Sequence, residues 1–463
     1  MSKIIIIGAG PGGYVAAIRA AQLGAKVTVV EKSEVGGVCL NRGCIPTKTL
    51  VASAKVLENV KRSGEYGVEI SGDVSYNLSM IMERKNKVIN TLVKGIRGLF
   101  KGWGIELIEG RGKLAAPNKV TVNMSDNSVR ELKADSIIIA TGSRPADMPP
   151  FPFDGKTILS SDDALNLNSI PKSILIIGAG VIGCEFAFIL KELGSEVTIV
   201  EMLPRAVSTE DEEISEILER ELKKWRIKLI LGTKVERIEK KLDGITAILE
   251  NGMEVIAEKI LVSIGRTCNT ENLGLEEIGV VVGKRGEIIV NEKMETSVKG
   301  VYAIGDVVGG IMLAHVASKE GLVAAANASV GNEIIDYSVI PAAIFTMPEI
   351  GSVGLREHQA KEMGYEVNIG RFQFRGLGKA HAIGKISGMV KIISEKNTDR
   401  ILGVHIIGPH ASDIIHEAAV AMRLGAKARD LAHTIHAHPT LSEALMEAAE
   451  DVHGMAIHGM PRK

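Results

Sequence analysis

The sequence predicts an α/β protein with two Rossmann-like, dinucleotide-binding domains and a further α+β domain toward the C-terminus. Three observations predict it. The stretch "IIIIGAGPGGYVAAIRAAQLGAKVTVVEK" (4–32) falls without a gap on "ILIIGAGVIGCEFAFILKELGSEVTIVEM" (174–202) when the chain is shifted by 170 positions. Each copy carries the same glycine and acid spacing. From about Tyr337 the pattern changes to apolar segments such as "GMVKIIS" and "ILGVHIIG", followed by the helical "DIIHEAAVAMRLGA".

Within the repeat, Gly8, Gly10 and Gly13 align with Gly178, Gly180 and Gly183, and Gly24, Thr28 and Glu31 with Gly194, Thr198 and Glu201. Each copy reads as an apolar strand, a glycine turn, a helix, a second strand and a terminal acid. The first glycine permits the tight turn, the second lets the backbone approach a pyrophosphate, and the third brings helix against sheet. The helix N-terminus then faces the phosphates. A lone GxGxxG is weak evidence, but here strand, spacing and acid agree twice, and two adenosine-containing cofactors follow. Glu31 and Glu201 can accept hydrogen bonds from ribose hydroxyls, whereas a 2′-phosphate would be repelled, so NAD is favoured over NADP at the second site. Arg205, four residues beyond Glu201, reads as a solvated surface charge.

The first domain is interrupted. "ADSIIIATGSRP" (134–145) reads as a buried strand entering a glycine turn, and "GVYAIGDVVGG" (300–310) as a strand ending at an aspartate, with the second βαβ unit between them. The expected division is 1–145 with 271–336, then 146–270, then 337–463.

With 463 residues and 45% hydrophobic content, the chain can build roughly three domains of ordinary size. A formal net charge of −1 without a basic run argues against nucleic-acid or anionic-membrane partners. No stretch approaches the roughly 18 apolar residues of a membrane span, and the four isoleucines before Gly8 are too few for a signal-peptide core. Four cysteines do not make a secreted disulfide framework, so a reducing cytoplasm is expected.

Two of those cysteines stand five positions apart in "GGVCLNRGCIPTK" (36–48). Five residues of regular helix advance about 7.5 Å, beyond the roughly 7 Å that a disulfide tolerates between Cα atoms. Gly43 and Pro46 are the residue types best able to distort a first helical turn, enough to let Cys39 and Cys44 pair. Such a bond would close too short a loop to stabilise much, and strained bridges are the labile ones, which points to chemistry.

Taken together, "GAGPGG", "CLNRGCIPTK", "ATGSRP", "GAGVIGCE", "AIGDVVGG", "MLAH" and "HAHPTLSE" resemble the flavin-dependent pyridine nucleotide-disulfide oxidoreductases over essentially the whole chain. The resemblance implies FAD on the first βαβ unit, NAD on the second, and a C-terminal interface domain that makes a homodimer. It implies oxidation of a protein-bound dihydrolipoyl group with reduction of NAD. The lipoyl group is expected on a separate partner of a 2-oxo acid dehydrogenase or glycine cleavage system.

Residue by residue, Cys39 resembles the thiol that exchanges with substrate and Cys44 the thiol nearest the flavin. Lys48 matches the lysine on the flavin N5 side and Glu185 the acid that pairs with it; their ordinary readings are a solvated helix residue and a helix-start carboxylate. Asp306 matches the aspartate of the flavin's ribityl region, and Met312, Leu313, Ala314 and His315 the backbone beneath the isoalloxazine. Gly112, Thr141, Gly142 and Ser143 match further flavin contacts, and Val235 and Gly265 further contacts of the second dinucleotide. His438 matches the base that takes the substrate's thiol proton, serving the partner subunit's disulfide, and Glu443 the acid that orients it. Thr440-x-x-Glu443 is also a capping box, so Glu443 has a second reading. Histidines at 433, 436 and 438 could suggest a metal, but no closed ligand set completes one, and none is expected. Cys184, and Cys268 where the family often has proline, read as small buried apolar residues.

Overall fold

The computed structural model describes residues 2–148, 150–241 and 244–460. They form two compact units: 1–148 with 160–169 and 264–336, and 149–159 with 170–263 and 337–463. The second strand-and-helix repeat and the C-terminal segment therefore belong to one unit.

In the first unit, Lys3–Ile7 is the middle of the five parallel strands of a seven-stranded sheet. Its order is Val301–Ala303, Ser136–Ile139, Lys3–Ile7, Lys26–Glu31, Glu106–Ala116, Lys119–Met124 and Val129–Lys133, the first five parallel and the last two turning back antiparallel. The four isoleucines of the first strand are buried, as a parallel strand covered on both faces requires. Helix Pro11–Gln22 follows, its alanines at 16, 17 and 20 fully buried so that it can sit close to the sheet and to helix Ala314–Ser329.

In the second unit the same plan recurs 170 positions later: strand Ser173–Ile177, helix Val181–Glu192 and strand Glu196–Val200. These strands belong to a five-stranded parallel sheet with Lys228–Ile230, Lys259–Val262 and Ile158–Leu159. A three-stranded antiparallel sheet spans 235–257. The C-terminal segment is α+β, as its sequence suggests. Strands Pro341–Ile344, Glu349–Gly354, Ile401–Gly408, Met389–Glu395 and Val367–Gln373 form an antiparallel sheet in that order. Helices Ala411–Arg423 and Glu443–Val452 supply buried residues to its core. A Cβ on Gly370 would stand 1.9 Å from the Ala448 carbonyl oxygen, so only glycine lets the second helix lie this close to the strand.

A buried charge network runs through this unit. Lys391 Nζ, on the sheet, lies 2.9 Å from Asp211, 2.6 Å from Glu213 and 2.7 Å from Glu357. Burial would lower the Lys391 pKa, but hydrogen bonds to the three carboxylates outweigh it and hold the pKa above the usual lysine value. Asp211 and Glu213 follow the second nucleotide-binding repeat and Lys391 belongs to the C-terminal sheet, so the network ties the two parts into one unit. Among the described residues, no helix is long and apolar enough to cross a membrane.

Candidate active site

The two glycine loops have nearly the same geometry. Gly8 and Gly178 take φ of 108° and 103°, where a side chain would be strained, and a Cβ on Gly13 or Gly183 would stand 2.0 Å from the carbonyl oxygen of the first glycine. Gly10 and Gly180 precede the helices with no side-chain cap, leaving the first-turn N–H groups for an anion. A Cβ on Gly180 would meet nothing within 4 Å, and one on Gly10 only the Gly37 Cα at 3.9 Å. An open face over an uncapped helix start fits a pyrophosphate at each loop.

The terminal acids have a duty that the sequence did not reveal. Glu31 Oε2 accepts the Ala9 N–H at 2.7 Å and Oε1 the Ser33 N–H at 2.8 Å. Glu201 likewise accepts from Ala179 and Leu203, both at 2.8 Å. Each acid thus ties its glycine loop to the end of its own strand, and each carboxylate oxygen retains lone-pair capacity for a ribose hydroxyl.

The first loop is also joined to the cysteine segment. The Gly36 N–H donates to the Ala9 carbonyl at 2.8 Å, and a Cβ on Gly37 would stand 2.6 Å from the Gly10 Cα. Helix Gly37–Arg42, which carries Cys39, therefore starts against the phosphate-binding glycine. At Gly43 the helix breaks, and helix Cys44–Lys61 begins at the second cysteine. Gly43 makes the fold-back: a Cβ there would stand 3.0 Å from the Val38 carbonyl oxygen and 3.4 Å from the Cys39 Cα. Pro46 does not distort the new helix, because its missing N–H falls in the first turn, where no intrahelical partner exists.

The break brings the two sulfurs together. Cys39 is half-buried and Cys44 exposed. The Cys39 pKa is pushed up strongly, first by its hydrogen bond with Cys44, then by burial and the negative charge on Cys44, against a smaller pull from Lys48. Tyr14, on the first loop's helix, is pushed up by burial and by the Cys39 charge, marking an aromatic neighbour the motifs did not flag.

Elsewhere in this unit, Thr141, Gly142, Ser143 and Asp306 are gathered by "GRTCN" (265–269), whose strand Arg266–Cys268 pairs antiparallel with Ser143–Pro145. Asn269 donates its backbone N–H to the Gly142 carbonyl at 2.9 Å and its side-chain amide to the Thr141 carbonyl at 2.9 Å. The Ser143 hydroxyl donates to Asp306 and accepts from Arg266 Nε at 2.7 Å. Buried Glu320 accepts the Gly305 N–H at 2.6 Å and fixes the turn that presents Asp306. Arg266, Asn269 and Glu320 were missed; the signal for Glu320 was an acid within an alanine-rich buried helix face. Cys268 donates its S–H to the Asp306 carbonyl at 3.3 Å, so it holds this turn as well as filling space. Met312, Leu313 and Ala314 are half-buried and His315 exposed, at the start of helix Ala314–Ser329, which has no side-chain cap. Gly112 sits inside its strand, where a Cβ would press on Ile7 at 3.2 Å. Gly265, at φ 133°, also falls in this unit.

In the second unit, Val235 is buried in the core beside the parallel sheet. Glu185 is buried, not a solvated helix-start charge, and accepts the Phe345 N–H at 2.9 Å. Cys184 is fully buried and donates to the Ala179 carbonyl at 3.3 Å, while burial pushes its pKa far up, so it is no nucleophile. Arg205 is half-buried, with one guanidinium nitrogen out of contact with solvent.

His438 and Glu443 meet. His438 Nδ1 is 2.9 Å from Glu443 Oε1, and Glu443 Oε2 accepts the Thr440 N–H at 2.7 Å. Glu443 therefore serves both readings at once, one oxygen for each. The capping box is only half formed, because helix Glu443–Val452 starts at the acid itself and the Thr440 hydroxyl donates to Ala437 instead. Burial would raise the Glu443 pKa, but the Thr440 N–H and His438 hold it below the usual carboxylate value. His436 is engaged by Glu417, and among the described residues no three His, Cys, Asp or Glu side chains gather as a metal-ligand set.

Comparison with known proteins places the chain in a family. The family described as pyridine nucleotide-disulphide oxidoreductase matches residues 2–321, and its dimerisation domain matches 340–449. A dihydrolipoyl dehydrogenase of Thermus scotoductus is 44% identical over 99% of both chains, and one of Bacillus subtilis is 44% identical over 98% of both. The crystal structure of LpdA from Mycobacterium tuberculosis superposes with a TM-score of 0.91 at 28% identity, covering 97% of this chain and 99% of that one. The chain belongs to the pyridine nucleotide-disulphide oxidoreductase family, in its dihydrolipoyl dehydrogenase branch.

Proposed function

We propose that this protein oxidises a dihydrolipoyl group to the cyclic disulfide and reduces NAD, through a Cys39–Cys44 couple that alternates between disulfide and dithiol. The observation that carries the reading is the meeting of the two sulfurs across the Gly43 break, with a lysine one helical turn beyond. A substrate thiolate attacks Cys39 in the disulfide, and Cys44 leaves as a thiolate. The second substrate thiol then displaces Cys39, so the substrate loses two electrons and two protons and the protein gains a dithiol.

His438 takes the substrate's proton. Because a carboxylate only accepts, Nδ1 carries the hydrogen directed at Glu443, and the Nε2 lone pair remains for the thiol. Lys48 favours negative charge on the sulfurs; Glu185 is the further acid proposed for the reaction. FAD held at the first loop would supply two-electron redox chemistry to the dithiol and the nicotinamide. Gly8, Gly10, Gly13 and Glu31 would hold the first cofactor, with Gly112, Thr141, Gly142, Ser143, Asp306 and 312–315. Gly178, Gly180, Gly183 and Glu201 would hold the second, with Val235; Gly265, expected there from the sequence, falls in the first unit.

The match to a dimerisation domain supports a homodimer in which His438 of each subunit serves the thiols of the other. The lipoyl group would come from a separate protein of a 2-oxo acid dehydrogenase or glycine cleavage system, in the cytoplasm. The division into 1–145 with 271–336, 146–270 and 337–463 remains the proposed domain plan.

The test is to follow NADH oxidation by the FAD-loaded protein with lipoamide and with glutathione disulfide in parallel. Lipoamide should support rapid oxidation and glutathione disulfide little. A protein whose flavin is bleached by NADH but which reduces neither disulfide would be a sensor or docking subunit, and the reading would fall.

A further inference from the structure

One histidine outside the assigned reaction is held at both ring nitrogens. His436 lies on the loop between helix Ala428–Ala432 and helix Glu443–Val452, two residues before His438. Its side chain is 5% exposed, against 76% for His438. His436 Nδ1 is 2.8 Å from the Thr434 carbonyl oxygen, and Nε2 is 2.7 Å from Glu417 Oε1 on helix Ala411–Arg423.

A carbonyl and an ionised carboxylate only accept hydrogen bonds. The Glu417 oxygen can therefore only accept from Nε2, and that bond ties the loop to the helix through the imidazole ring.

The rest of the loop is tied down locally. The Thr434 hydroxyl donates to the Asp430 carbonyl at 2.7 Å, and the Thr440 hydroxyl donates to the Ala437 carbonyl at 2.8 Å. Both join the loop to itself or to the short helix before it. The Glu417 contact instead reaches a thirteen-residue helix packed on the C-terminal sheet.

We infer that His436 is a positioning residue for the reaction: its hydrogen bond with Glu417 anchors the loop so that exposed His438 keeps its approach to Glu443 and to the substrate thiol. The inference rests on His438 being the base. A group in contact with reacting atoms loses about 10²-fold when displaced by about 1 Å, so an anchor two residues away can be read kinetically.

The experiment compares two activities of the FAD-loaded protein: dihydrolipoamide oxidation with NAD, which needs His438, and NADH oxidation by ferricyanide, which does not need a thiol proton acceptor. His436→Phe keeps a ring but removes both hydrogen bonds. It should lower dihydrolipoamide kcat roughly tenfold to a hundredfold while leaving the ferricyanide rate and the KM for NAD unchanged. His436→Gln, whose amide can still donate to Glu417, should recover most of the loss. If His436→Phe does not accumulate, Glu417→Ala removes the same tie from the other side and should give the same split. Undiminished dihydrolipoamide turnover in the variant would overturn the role, as would equal loss of both activities. Wild-type protein inactive toward dihydrolipoamide would overturn the functional reading, and this role with it.

Discussion

Replacing Cys44 with serine will abolish dihydrolipoamide turnover while leaving yellow FAD bound. Serine matches the size of cysteine, and position 44 is exposed at the start of its helix, so the change removes no core packing. A hydroxyl cannot join a disulfide, so the variant has no sulfur–sulfur bond for the substrate thiolate to break and no acceptor for its two electrons. Turnover should fall to the background rate. The nucleotide loop should persist, because its restraints come from Glu31, from the Gly36 N–H and from close glycine packing, none of which involves Cys44. Loss of the flavin in Cys44→Ser would show that Cys44 is a structural residue.

His438→Gln should slow dihydrolipoamide oxidation by roughly 10² to 10⁴-fold, the ordinary scale for loss of a general base. Glutamine can keep a hydrogen bond to Glu443 but has no nitrogen lone pair to take the thiol proton. The side chain is mostly exposed, so the fold should tolerate the change. Steady-state rates with dihydrolipoamide, alongside ferricyanide reduction by NADH as the control, measure it. A near-normal dihydrolipoamide rate would reject His438 as the base.

The dinucleotide-binding halves were legible because their constraints are local. A strand, a glycine turn, a helix and a terminal acid are specified within about thirty consecutive residues, and helix 11–22 recurs at 181–192 with the same boundaries. The joint between the cysteines was legible only in part. The sequence offered Gly43 and Pro46 as equal candidates to bend the segment. The deciding fact is the close approach of Gly43 to Val38 and Cys39, a contact no spacing reveals.

The C-terminal strands mislead for a similar reason. "GMVKIIS" and "ILGVHIIG" read as apolar segments, and nothing in them assigns a partner to Lys391 or His405. Both strands are buried on both faces: Lys391 meets three carboxylates drawn from two other segments, and His405 hydrogen bonds the Leu355 carbonyl at 2.9 Å. Buried polar residues with distant partners look like solvent-facing ones in a linear reading. Glu320 and Glu417 escaped for the same reason, since each acts on a residue remote along the chain.

The central claim is that Cys39 and Cys44 cycle between disulfide and dithiol as electrons pass. The most direct measurement is alkylation followed by peptide mass spectrometry on the FAD-loaded protein in three states: as isolated under air, after NADH, and after NADH followed by excess lipoamide. Cys39 and Cys44 should be unlabelled at first, both labelled after NADH, and protected again after lipoamide, with Cys184 and Cys268 unlabelled throughout. Labelling at Cys39 and Cys44 that ignores both reagents would contradict the account.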